Sequence, residues 1–132
     1  MKLDHVGIAV RDLEDAVQLY AGAFGGRVVH REELPDEGVR LAFVETGGAL
    51  LELLQPLRDS GPLAKFLQNR GEGLHHLAFE VSDIIRAIAE AGARGLRPVG
   101  DGPRLGARAR LIAFLHPAAA HGVLVELVQR AP

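Results

Sequence analysis

The sequence predicts an α+β protein in which two βαβββ modules lie in tandem and form an open curved sheet. The first reason is an internal duplication: three blocks recur in the same order, two of them at an offset of 71 residues. The third block is displaced by three more residues, which places an insertion in the second copy. Three matches in one order indicate a repeat rather than chance. The matched blocks are residues 4–16 and 75–87, residues 41–43 and 112–114, and residues 50–55 and 124–129.

Each copy begins with a strand that leads into a capped helix. The strands are predicted at residues 5–10 and 76–81, and Asp12 and Asp83, which follow them, are typical N-cap residues. Apolar residues at helical spacing then predict one helix per copy, and the glycines after them suit helix termination. The apolar helix positions are Leu13, Ala16, Val17, Tyr20 and Phe24 in the first copy, and Ile84, Ala87, Ile88 and Ala91 in the second.

Three further strands complete each copy, so the modules span residues 1–57 and 74–130. The segment SGPLAKFLQNRG at 60–71 has the pattern of a short capped helix that joins them. One helix cannot cover both faces of a four-stranded sheet, so the two sheets should pair around a shared interior in a single domain, 1–132. The remaining strands are predicted at residues 27–32, 39–45 and 49–55, and at residues 97–99, 110–115 and 122–129.

Composition narrows the possible functions. With 132 residues, 48% of them hydrophobic, the chain suits one compact domain. It has no cysteine, which excludes disulfides, thiolate metal sites and a cysteine nucleophile, so any metal must be held by nitrogen and oxygen. A net charge of -2 without a basic block argues against nucleic acid or a membrane surface as a partner. The N-terminus, MKLDHVGIAV, has no apolar signal region, so we expect a cytoplasmic protein.

One histidine in each copy lies on the strand face that carries small side chains. Side chains alternate across a strand, so His5 shares a face with Gly7 and Ala9, and His76 shares a face with Ala78. We expect the helix to pack on the opposite, bulkier face, where His75 belongs. The histidines on the small-residue faces should therefore point into open space.

A glutamate repeats in the same way. Glu52 and Glu126 hold matching positions in the last strand of each copy, within apolar runs where an unpaired carboxylate is costly to bury. Either residue type alone is more often structural or solvent-facing, but two of each at equivalent positions favour a metal site. His5, Glu52, His76 and Glu126 are therefore predicted to bind a divalent ion, with Co²⁺, Mn²⁺, Ni²⁺, Fe²⁺, Zn²⁺ and Mg²⁺ all compatible.

The other histidines are expected to be structural, because a lone histidine is more often a hydrogen-bonded structural residue than a ligand. The glycine-rich stretch at 100–110 lacks the spacing of a phosphate-binding loop and is expected to be an ordinary loop. These other histidines are His30, His75, His116 and His121.

The motifs DHVGIAV, ELLQPL, SGPLAKFLQNRGEGLHHLAFEV, IAFLHP and GVLVELVQ resemble the methylmalonyl-CoA epimerase family of the vicinal oxygen chelate superfamily. The resemblance covers essentially the whole chain and implies the glyoxalase fold. It implies an isomerase of propionyl-CoA metabolism that interconverts (2R)- and (2S)-methylmalonyl-CoA, by metal-assisted removal of the α-proton and an enolate intermediate. It also implies a divalent metal cofactor, with Co²⁺ the first choice, and a homodimer.

Within that family pattern, Glu126 is the leading candidate for an acid–base role and Glu52 the second, with a bound water as a further possibility. The opposing acid–base group is not identified: some members carry a carboxylate on the third strand of the first module, where this chain has Leu41. Ala118 replaces a lysine, and Arg108 and Ala109 alter a glycine-rich turn. Two other functions stay open, a lactoylglutathione lyase of glyoxalase type and a metal-free small-molecule-binding protein of the same fold.

Overall fold

The computed structural model describes residues 1–132, which form an α+β protein with eight strands and three α-helices. The chain divides into two compact units, one of His5–His75 and one of Met1–Asp4 with His76–Pro132. The predicted fold class, with one βαβββ module following the other, is confirmed. The elements are β1 (Lys2–Ala9), α1 (Leu13–Gln18), β2 (Arg27–Leu34), β3 (Val39–Thr46), β4 (Ala49–Pro56), α2 (Pro62–Arg70), β5 (Gly73–Val81), α3 (Ile84–Ala93), β6 (Pro98–Leu105), β7 (Leu111–Leu115) and β8 (Val125–Gln129).

In the unit His5–His75, the strands lie in the order β2, β3, β4, β1. Strands β1 and β4 are parallel, and the other neighbours are antiparallel. Helix α1 packs on one face of this sheet and shields leucine and valine side chains from water. Each such side chain contributes about 1.5–3 kcal/mol when fully buried. The buried cluster at α1 consists of Val10, Leu13, Val17, Ala42, Val44 and Leu53.

Helix α1 begins as predicted but ends differently. The Asp12 side chain accepts a hydrogen bond from the Asp15 N–H at 3.1 Å, which confirms the N-cap. After the α-helix, Leu19–Ala23 forms a π-helical turn. A π turn holds more residues than an α turn and so changes which face later residues occupy. The expectation that Phe24 continues the apolar face is therefore wrong, since Phe24 is 61% exposed.

In the unit formed by Met1–Asp4 and His76–Pro132, the strands β5, β8, β7 and β6 are neighbours in that order. Strands β5 and β8 are parallel, like their counterparts in the first module. The Asp83 side chain accepts a hydrogen bond from the Arg86 N–H at 3.1 Å and caps α3, as predicted. The buried cluster at α3 consists of Val81, Ile84, Ala87, Ala113, Leu115 and Leu127.

A glutamine from the last strand of each module binds the first turn of its helix. The Leu13 N–H donates to Gln55 Oε1 at 2.8 Å, and the Ile84 N–H donates to Gln129 Oε1 at 2.9 Å. The first N–H groups of a helix lack partners within the helix, so these bonds satisfy a donor and tie the helix to the sheet. The duplication therefore extends to hydrogen bonding.

The glycine-rich stretch at residues 100–110 is not wholly a loop. Strand β6 continues to Leu105, which makes the expected loop wrong for its first half. The pairing of β6 with β7 shifts register between Val99 and Arg104, so the residues between them form an irregularity in the ladder. At the other end of the module, the strand predicted at 122–129 begins only at Val125.

The segment at 60–71 contains α2, which starts at Pro62 and is followed by Gly71 with φ 77°. Proline suits a helix start, and glycine adopts a positive φ without strain. None of the helices has the length and apolar character that crossing a bilayer requires. The division into modules 1–57 and 74–130 within a single domain stays a prediction.

Candidate metal centre

His5 and Glu52 form a buried pair in the unit His5–His75. Parallel pairing of β1 and β4 places Gly7 beside Glu52. His5 lies two residues before Gly7 on β1, so its side chain is on the same face of the sheet as that of Glu52. His5 Nε2 is 3.2 Å from Glu52 Oε1. The two residues are only 3% and 4% exposed. A carboxylate removed from water to this extent needs a cationic or hydrogen-bonding partner.

Phe43 forms one wall beside this pair. It lies directly opposite Glu52 in the antiparallel pairing of β3 and β4. Its ring centroid is 5.2 Å from that of His5, and the two ring planes meet at 89°. Aromatic rings favour this edge-to-face arrangement. Phe43 is fully buried, so the imidazole is held against a rigid surface.

The second module repeats this arrangement in its own unit. Pairing of β5 with β8 places Ala78 beside Glu126, and His76 Nε2 is 3.9 Å from Glu126 Oε1. His76 and Glu126 are 4% and 5% exposed. Phe114 lies opposite Glu126, and its ring centroid is 5.6 Å from that of His76 at an interplanar angle of 85°. Each unit therefore holds one buried histidine, one buried glutamate and one phenylalanine.

The expectation that His5 and His76 point into open space is wrong. Both side chains are buried, and a phenylalanine ring from a nearby strand stands against each of them. The small residues on these faces leave room for aromatic rings as well as for the imidazoles. Sequence reasoning did not select Phe43 or Phe114, although both end the duplicated LAF and IAF blocks and could have been found there.

The donor atoms of each pair fit a divalent metal ion. Imidazole nitrogen and carboxylate oxygen together suit borderline ions, and burial strengthens the attraction between a carboxylate and a cation. Each unit holds one nitrogen donor and one carboxylate donor close together. A protonated imidazole could also neutralise each carboxylate, so metal content distinguishes the two interpretations.

Two of the remaining histidines have side-chain contacts within the protein. His75 lies edge-on to Phe66, with ring centroids 4.8 Å apart. His116 Nδ1 accepts a hydrogen bond from the Ala118 N–H at 3.1 Å and caps a short 3₁₀ turn, which ends at His121. These contacts give the side chains of His75 and His116 structural roles.

Two positions where the chain departs from the family pattern have structural roles. Leu41 is 1% exposed and packs in the interior. Arg108 adopts φ 61° and donates to Asp4 Oδ2 at 2.5 Å, while Arg110 Nη1 donates to Asp4 Oδ1 at 3.4 Å. The arginine in the altered turn is thus bound by a carboxylate of its own unit.

Several known proteins with similar sequences are methylmalonyl-CoA epimerases. An ethylmalonyl-CoA/methylmalonyl-CoA epimerase of Cereibacter sphaeroides is 41% identical over 130 residues, which are 97% of this chain and 97% of that protein. The mitochondrial methylmalonyl-CoA epimerase of Homo sapiens is 40% identical over 129 residues, 97% of this chain and 73% of that protein. A lactoylglutathione lyase of Arabidopsis thaliana is only 23% identical, and the match covers 44% of it.

A solved structure and a family model support the similarity to methylmalonyl-CoA epimerases. The crystal structure of methylmalonyl-CoA epimerase from Mycobacterium tuberculosis superimposes with a TM-score of 0.92 at 41% identity, over 99% of this chain and 89% of that one. The family model described as Glyoxalase/Bleomycin resistance protein/Dioxygenase superfamily matches residues 4–114. The chain therefore belongs to this superfamily and, within it, to the methylmalonyl-CoA epimerase family.

Proposed function

We propose that this chain is an isomerase that interconverts (2R)- and (2S)-methylmalonyl-CoA by removing and returning the α-proton. One observation carries the proposal: each module buries a histidine against a glutamate, at 3.2 Å and 3.9 Å, in a chain of the epimerase family. A buried carboxylate is costly unless a cation or hydrogen-bond donor satisfies it, and a bound metal ion would satisfy the carboxylate of each pair.

His5, Glu52, His76 and Glu126 would together hold one divalent ion. Co²⁺ is our first choice, with Mn²⁺, Ni²⁺, Fe²⁺, Zn²⁺ and Mg²⁺ as alternatives, because all accept nitrogen and oxygen donors. When bound, the ion would supply Lewis-acid stabilisation of negative charge on a substrate oxygen. Two carboxylates offset its charge.

The carboxylates also supply the acid–base chemistry. In methylmalonyl-CoA the α-carbon lies between a carboxylate and a thioester carbonyl, so breaking its C–H bond leaves the electron pair delocalised as an enolate. Glu126 is the leading candidate to accept this proton and Glu52 the second. Burial keeps water away from both carboxylates, which makes their interactions with charge stronger. A proton delivered to the opposite face by a second acid–base group completes the inversion, and proton exchange with solvent then returns both groups to their starting states.

We propose a homodimer that acts in the cytoplasm, in propionyl-CoA metabolism. Methylmalonyl-CoA is the substrate partner, and nucleic acid and membranes have no part in the reaction.

The test compares two substrates on one preparation. The purified protein is incubated in D₂O with each epimer of methylmalonyl-CoA and, separately, with the hemithioacetal of methylglyoxal and glutathione. We expect inversion and α-deuterium incorporation with the first substrate only. Turnover of the hemithioacetal alone would establish a glyoxalase-type lyase. Tight ligand retention without bound metal or turnover would establish a binding protein.

Glu126→Gln tests the leading residue. We expect it to reduce deuterium incorporation strongly, because the amide cannot accept a proton as the carboxylate does, although its carbonyl oxygen can still contact the ion. Glu90→Gln is the matched control, since Glu90 is an exposed carboxylate on α3 of the same unit. Unchanged exchange in Glu126→Gln, with native circular dichroism in both variants, would end the assignment of Glu126.

A further inference from the structure

A second histidine–carboxylate pair lies on β2. His30 Nε2 is 2.9 Å from Glu32 Oε1, and alternation along the strand puts both side chains on one face. An ionised carboxylate has no hydrogen to donate, so Nε2 carries the proton in this bond. In the neutral imidazole, Nδ1 is then the ring nitrogen with a lone pair, which makes it the nitrogen that can accept a proton.

A β-bulge turns this pair toward the face of the metal centre. Val28 lies opposite Val44 on the α1 face, but the register shifts before His30, which lies opposite Phe43 instead of Ala42. Without the extra residue, His30 and its carboxylate partner would face α1. Bulges commonly redirect side chains beside functional sites.

Phe43 connects the two pairs. The ring of His30 is 6.2 Å from that of Phe43, which is itself 5.2 Å from His5. Phe43 is also the cross-strand partner of Glu52. Two strand spacings, about 10 Å between Cα atoms, therefore separate His30 from Glu52 along this face. A small acyl group bound at Glu52 would lie within reach of the imidazole.

The exposure of the pair suits exchange of protons with solvent. The side chains of His30 and Glu32 are 37% and 26% exposed, whereas those of His5 and Glu52 are 2% and 6% exposed. Imidazole is the side chain that most readily accepts and donates a proton near neutral pH. Leu41, the cross-strand partner of Glu32, offers no competing carboxylate.

We propose, on the basis of the proposed function, that His30 is the second acid–base residue of the epimerisation and that Glu32 is its positioning residue. The α-C–H bond of one epimer breaks, an N–H bond forms at Nδ1, and the electron pair remains on the substrate as the enolate. The other acid–base group, a glutamate that starts protonated, then breaks its O–H bond, and that proton forms the C–H bond of the opposite epimer. The return reaction uses the same groups in reverse, so nothing else is consumed.

The decisive experiment starts from each epimer separately in D₂O, with wild type, His30→Gln, Glu32→Gln and the control Glu33→Gln. Glu33 is the neighbouring carboxylate on β2 and accepts a hydrogen bond from Arg40 Nε at 2.8 Å. In His30→Gln, we expect inversion to fall by about 10²–10⁴-fold with an unchanged KM. Deuterium exchange should continue with one epimer and stop with the other. Glu32→Gln should be intermediate, and Glu33→Gln should match wild type.

Two measurements show whether the role is chemical. Metal content and circular dichroism should be the same in all four proteins. Nitrogen-15 NMR of the ligand-free wild type should show the proton of neutral His30 on Nε2, and a proton on Nδ1 would overturn the proposal. Exchange from both epimers at the wild-type rate in His30→Gln would also overturn it, as would a change in KM alone. An inactive wild type would instead refute the proposed function itself.

Discussion

Phe43 packs between the two histidine–carboxylate pairs of the first module. It is fully buried, lies opposite Glu52, and contacts the rings of both His5 and His30. Replacing it with alanine removes a buried ring and leaves a cavity, so the free energy of unfolding should fall by about 3–5 kcal/mol. That is a large part of the about 5–15 kcal/mol that stabilises a typical domain.

Phe43→Leu distinguishes the free energy lost with packing volume from the free energy lost with the aromatic ring contacts. Leucine fills much of the volume at a cost of less than about 1.5 kcal/mol. The lost aromatic contacts account for about 0.5–1.5 kcal/mol beyond buried area. Phe24→Ala is the control, because Phe24 is 61% exposed and its loss should cost less than about 0.5 kcal/mol.

The assay is urea unfolding of the metal-free proteins, followed by circular dichroism. We expect the stability order Phe24→Ala, Phe43→Leu, Phe43→Ala, from most to least stable. Equal midpoints for the two alanine variants would refute the interpretation that Phe43 is a structural wall of the site.

Two further predictions concern glycine and capping positions. A Cβ at Gly106 would lie 2.6 Å from Ile112 Cδ1, so Gly106→Ala should destabilise the protein by about 1–3 kcal/mol in urea unfolding. Gly92, in α3, has free space around its Cβ position, and Gly92→Ala should instead stabilise by about 0.5–1 kcal/mol; the reverse order would contradict this packing. Asp83→Ala removes the acceptor for the Arg86 N–H and should cost about 0.5–2 kcal/mol, which an unchanged melting temperature would disprove.

The internal duplication allowed the equivalent elements of the two modules to be predicted from the sequence. Once the two copies are aligned, the caps at Asp12 and Asp83 and the strand positions of Glu52 and Glu126 follow from alternation and helical spacing. Those rules are local, so they apply wherever the backbone is regular. The same alignment contained Phe43, but an apolar residue in a strand carries no sign that it contacts an imidazole.

Alternation and helical spacing give the wrong face where the backbone is irregular. Alternation counted from Val28 places His30 on the α1 face, whereas the bulge places it on the face of Glu52. The π turn displaced Phe24 from the core in a comparable way. One extra residue in a strand or turn changes the face on which the following side chains lie. The residue types of the segment do not reveal the extra residue, because its position depends on pairing with a strand that is distant in sequence.

Metal content is the most direct test of the proposed centre. The protein should be purified without added ions and analysed by mass spectrometry together with His5→Gln, His76→Gln and the control His116→Gln, whose side chain only caps a 3₁₀ turn. We expect about one divalent ion per chain in wild type and His116→Gln, and a large loss in each of the other two. A wild type without a bound ion, or full retention in either His5→Gln or His76→Gln, would contradict a single ion held by both modules.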